Sequence, residues 1–109
     1  MTILIEAATE AAVSDTINLT LEYWGASRAI EERYFPLHAT FRVTGGALGT
    51  DEYVKLQYSD GTNWIDAEVA GDNGKILDEN NAVRTIYGRM TNVRVSKSAT
   101  SAARGVEVV

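Results

Sequence analysis

Apolar and polar residues alternate with a period of two along much of this chain, the signature of strands with one face buried and the other in water. In Asp15-Thr-Ile-Asn-Leu-Thr-Leu-Glu-Tyr23, the residues Ile17, Leu19, Leu21 and Tyr23 share one face. Leu37-His-Ala-Thr-Phe-Arg-Val43 repeats the pattern, with Leu37, Ala39, Phe41 and Val43 inward and His38, Thr40 and Arg42 outward. Glu52 to Tyr58 puts Val54, Leu56 and Tyr58 together, and Asn63 to Val69 alternates again after Asp60-Gly61. That dipeptide suits the positive φ of a hairpin turn, so the two segments are expected to form a hairpin at the centre of the fold. Shorter strands are expected at Ala82 to Tyr87, Asn92 to Ser96 and Gly105 to Val109, with Ile3 to Glu6 as a further one. The pattern predicts an all-β chain, an antiparallel β-sandwich or jelly-roll-like barrel of about seven to eight short strands. One segment breaks the period: Ser27 to Phe35 has a capping serine and ends before Pro36, and reads as a short helix crossing between strands.

The chain has 109 residues, room for one domain, assigned to residues 15–109. Residues 1–14 are either an arm that adds a strand to a neighbour's sheet edge or the first strand of the chain's own sandwich. No run approaches the ~20 apolar residues of a membrane span, and the start lacks the basic residue and long apolar core of a signal peptide. Synthesis in a cytoplasm is therefore expected, with no membrane partner.

The formal net charge is −5, which argues against a nucleic-acid partner because phosphate binding needs a basic footprint. The charge is uneven: residues 1–80 carry −9 and residues 81–109 carry +4. Pairing of the last strands with earlier acidic ones explains this division, and so does a polarised surface that meets a charged partner. Arg89, Arg94 and Arg104 are the candidate contacts on the basic side, and Trp24 and Trp64 the candidate aromatic ones.

Catalytic chemistry finds little to stand on. There is no cysteine and one histidine, His38, on an expected solvent face with no metal-ligand spacing around it. Asp66 and Glu68 lie two apart beside Trp64, as an acid–base pair against an aromatic platform would. Such a pair needs a deep cleft, and a solvated strand face accounts for the same residues. The glycine-rich Thr44 to Thr50 lacks the Gly-Lys-Ser/Thr ending of a phosphate loop, and Gly71 to Glu79 departs from the order of an EF-hand and reads as a turn. No enzyme activity, cofactor or metal is expected.

Two segments carry a resemblance. Tyr53-Val-Lys-Leu-Gln-Tyr-Ser-Asp-Gly-Thr-Asn-Trp-Ile-Asp66 and Tyr87-Gly-Arg-Met-Thr-Asn-Val-Arg-Val-Ser-Lys97, with the ending Gly105-Val-Glu-Val108, resemble small all-β virion proteins of tailed bacteriophages, especially head decoration (cement) proteins. The resemblance implies a non-enzymatic structural protein of the virion, made in the host cytoplasm, that docks on the outer capsid surface. Its implied partners are the major capsid protein and further copies of itself, and its role is to reinforce contacts between capsid subunits. The alternative is a carbohydrate- or receptor-binding β-module of a phage tail or other surface assembly, using Tyr23, Trp24, Tyr34, Phe35, Tyr58 and Trp64 as a stacking platform.

Overall fold

A computed structural model describes residues 2–19, 38–68, 72–87 and 90–109. Its strands, in chain order, are β1 (Thr2–Ala8), β2 (Ala12–Val13), β3 (Ile17–Leu19), β4 (His38–Thr44), β5 (Val54–Ser59), β6 (Trp64–Asp66), β7 (Lys75–Leu77), β8 (Val83–Tyr87), β9 (Met90–Lys97) and β10 (Arg104–Val108). The first sheet runs β1-β10-β4-β8; the second runs β2-β9-β5-β6, with β3 also on β9 and β7 also on β5. All pairs are antiparallel, and the two sheets form a β-sandwich. The expected helix at 27–35, together with Trp24 and Arg89, lies outside the described residues.

The alternation sets which side chains meet between the sheets. From the first sheet come Ile5, Ala39, Phe41, Val43, Ile86, Val106 and Val108; from the second come Val54, Leu56, Ile76, Leu77, Val93 and Val95. Phe41 and Leu56 are fully enclosed. At roughly 25 cal/mol per Å² of apolar surface removed from water, side chains of this size each contribute about 1.5–3 kcal/mol.

Register explains the outward face as well. Val106 lies opposite Val43 and Glu107 opposite Arg42, so β10 alternates in step with β4. Gly105 makes this three-strand packing possible: a Cβ there would stand 2.4 Å from the Ile5 carbonyl oxygen and 2.9 Å from the Ala7 nitrogen. The amino-terminal β1 closes against β10 of the same chain.

Three details differ from the sequence reading. The expected hairpin forms between Val54–Ser59 and Trp64–Asp66, with Gln57 opposite Asp66 and Ser59 opposite Trp64, but only β5 is central; β6 is at the sheet edge. Tyr58, expected inward with Val54 and Leu56, is 42% exposed because it falls beyond the enclosed part of its strand. Lys75–Leu77 is a strand where the 71–79 segment reads as a turn, because a three-residue strand with Ile76 and Leu77 both buried never shows the alternating period. The turn chemistry itself is real on both sides of that strand: Asn73 and Gly74 take positive φ of +52° and +77° before it, and after it Asp78 Oδ1 accepts the Asn80 and Asn81 amides.

The hairpin turn follows its sequence. Gly61 has φ +100°, and Asp60 Oδ1 accepts the Thr62 amide at 2.8 Å and the Asn63 amide at 2.6 Å. Those amides hold the Asp60 carboxyl below the ordinary carboxylate range.

Candidate functional site

The outward face of β6-β5-β9 is assembled by cross-strand register. Asp66, Gln57 and Arg94 form one rung across the three strands, with Trp64 beside Ser59 on the next. Arg94 lays its guanidinium over the Trp64 ring at 4.3 Å and donates through Nε to Gln57 Oε1 at 2.9 Å. Gln57 Nε2 donates to Asp66 Oδ1 at 3.0 Å, and Lys55 Nζ donates to Asp66 Oδ2 at 3.1 Å. Lys55 and Lys75 both stand over the Tyr53 ring, at 5.4 and 5.0 Å. The bond from Gln57 lowers the Asp66 pKa most, Lys55 adds to that, and partial burial opposes both. Asp66 is thus an ionised acceptor with both oxygens taken, and β6 ends there, so the alternation that would set Glu68 beside it stops.

At the other end of this face, Asp51, Glu52, Tyr53, Lys75, Asp78 and Glu79 line an open groove of about 130 Å³. Glu52 is built into the fold: its carboxylate accepts the Gly49 amide at 2.7 Å and the Ser101 amide at 2.8 Å. These amides, with Arg104 in a lesser role, lower its pKa. A carboxyl whose folded pKa is depressed adds stability above its ordinary value, and that stability is lost as pH falls through the folded one. Asp60 and Asp66 shift in the same direction. Urea midpoints measured from pH 7 downward should therefore hold until about pH 4, the ordinary carboxylate value, and then fall. In Glu52→Gln, part of that acid dependence should vanish; an unchanged profile would show that Glu52 does not couple to folding.

The first sheet presents a different outer face. Ile3, Glu107, Arg42 and Val83 form one rung, and Val109, Thr40 and Thr85 the next, with Tyr87 opposite the backbone of His38. Arg42 and Glu107 form an ion pair at its centre, and the Thr40 and Thr85 hydroxyls bond at 2.9 Å. Of the six exposed large hydrophobics among the described residues, Ile3, Val83, Tyr87 and Val109 all belong to this face. The sequence did carry a signal for it. Ile3-Leu-Ile5 and Val108-Val109 put apolar residues in both phases of the strand period, which a strand with one wet face does not need.

The sequence-derived contacts fall in different places. Trp64 and Arg94 are brought together, whereas Arg104 is turned to its own chain, donating to the carbonyls of Ala47 (2.8 Å), Gly45 (2.9 Å) and Ala103 (2.9 Å). It clamps the 45–49 loop. His38 opens β4, with its side chain outside the described set. Among the described residues, no group of three or more His, Asp or Glu is arranged to hold a metal ion, and no helix is long and apolar enough to cross a membrane. Lys55 and Gln57 are the members of the ladder that sequence reasoning missed, and Asp66, singled out there beside Glu68, proves to be their partner instead, because the three are joined only by cross-strand register. Comparison with protein-family models, curated proteins and solved structures yields no match to this chain.

Proposed function

We propose that this protein is a non-enzymatic virion component that docks on the outer surface of a bacteriophage capsid through the outer face of its first sheet and reinforces contacts between capsid subunits. The observation that carries the reading is the concentration of Ile3, Val83, Tyr87 and Val109 on that face, around a polar centre already satisfied within the chain. Apolar anchors around paired polar groups match the make-up of protein interfaces, and clustered exposed apolar residues mark contact surfaces. The resemblance of the 53–66 and 87–97 segments to cement proteins supplies the identity of the partner, the major capsid protein. Many copies on identical capsid sites would stabilise the shell by mass action even when each contact is modest.

Particle stability tests the role. Capsids lacking the protein should assemble yet release their genome at a lower temperature and under osmotic shock, and adding back the purified protein should restore resistance. Unchanged release at full occupancy would contradict reinforcement. Of the stacking platform that the carbohydrate-binding alternative uses, Tyr58 is exposed and Trp64 has Arg94 over one side of its ring, while Tyr23, Trp24, Tyr34 and Phe35 lie outside the described residues.

A further inference from the structure

The outer face of the second sheet is a continuous layer of contacts that runs from Trp64 through Arg94, Gln57, Asp66, Lys55 and Tyr53 to the acidic groove. We propose that this face is a self-complementary contact between two copies of the chain, related by a twofold axis near Lys55 and Asp66. It lies on the opposite side of the sandwich from the docking face, so the two readings stand or fall separately.

The charge distribution carries the argument. At one end, Arg94 rests on a ring and a neutral amide, and among the described residues no carboxylate lies within ion-pair distance of it. At the other end, Asp51, Glu52, Asp78 and Glu79 share the groove with a single cation, Lys75. Between them the Lys55–Asp66 pair carries one charge of each sign. From Gln57, opposite Arg94, to Glu52 is five residues of extended chain, roughly 17 Å at 3.3 Å per residue. A twofold axis midway would bring Arg94 of each copy over the acidic groove of the other, so the contact forms twice, as isologous pairing requires. A uniformly acidic partner would meet repulsion at the groove, and a uniformly basic one at Arg94; a second copy meets neither.

The layer is also prepared for contact. Trp, Tyr and Arg dominate interface hot spots, and here Trp64, Tyr53 and Arg94 are already held by ring–cation contacts and hydrogen bonds. Little side-chain freedom remains to be lost on association. The other described cations are differently placed: Arg42 pairs with Glu107, Arg84 belongs to β8 of the first sheet, Lys97 is buried, and Arg104 is held by carbonyls.

Sedimentation velocity on the full chain is the test. The wild type should show a dimer that weakens as salt rises, because the paired charges are near the surface. Arg94→Gln, which removes the charge but can still bond Gln57, should weaken the dimer by about a hundredfold, tenfold for each of two symmetry-related contacts. Arg94→Glu should be a monomer, as should Glu79→Lys combined with Asp51→Asn, where asparagine suits the φ of +63° at residue 51. Mixing these two monomers should restore a heterodimer, since one of the two contacts is then Arg94 over an unaltered acidic groove, and at the other the introduced glutamate meets a groove whose formal charge the two substitutions have raised from −3 to zero, which removes the repulsion. Circular dichroism checks that each variant keeps its strand signal. A wild type that stays monomeric at all concentrations, a charge-insensitive dimer, or a mixture that fails to associate would overturn the proposal.

Discussion

Replacing Phe41 with alanine should lower the unfolding free energy by about 3–5 kcal/mol, the range for deleting a buried aromatic ring. Phe41 is the largest fully enclosed side chain among the described residues and sits on β4, which has β10 on one side and β8 on the other. The neighbouring Val106 and Val108 are backbone-paired in the same sheet and cannot collapse far into the space left behind. A domain of this size is typically stable by only about 5–15 kcal/mol, so the variant should be partly unfolded at modest urea. A shift below about 1 kcal/mol in chemical denaturation would mean that the two sheets do not close over this ring.

Lys97→Met should destabilise by roughly 3 kcal/mol, although methionine keeps most of the volume, because three charge-assisted hydrogen bonds that tie two segments together are lost. The Lys97 side chain is enclosed, and its ammonium donates to the carbonyls of Glu10 (2.7 Å), Ala8 (3.0 Å) and Ser98 (3.2 Å). It thereby ties the turn after β1 to the end of β9. Burial lowers its pKa, and the charges of Glu10 and Glu52 oppose that shift. Nearby, Thr100 donates its backbone amide to the Thr9 carbonyl at 2.8 Å and its hydroxyl to the Ala102 carbonyl at 2.7 Å, which fastens the same corner. A Lys97→Met protein as stable as the wild type would show that desolvating the ammonium outweighs its three bonds.

Phe41 and Leu56 were legible in the sequence because each repeats an inward position at a spacing of two, and strands long enough to show that period declare their buried face. Ile76 and Leu77 were not, since a three-residue strand has no period to read. Lys97 shares its phase with Val93 and Val95, so the alternation does put it inside. What no local pattern reveals is the set of carbonyls that receives it, because two of them are almost ninety residues away along the chain. The same limit governs the outer faces. Trp64 was legible as a candidate contact from its residue type, but its partner Arg94 depends on β9 pairing with β5 while β5 pairs with β6. Arg104 had the same apparent surface role as Arg94, and only the path of the 45–49 loop turns it inward.

The docking face is tested most directly by co-sedimenting purified protein with decoration-free capsids, comparing the wild type with an Ile3→Asp, Val83→Asp double variant. Both positions are more than half exposed and lie on one rung, so the changes place two charges on the proposed contact while sparing the core. The wild type should pellet with the capsids, and the double variant, its strand signal intact by circular dichroism, should stay in the supernatant. A wild type that fails to pellet at any salt, or a double variant that pellets equally well, would contradict the account.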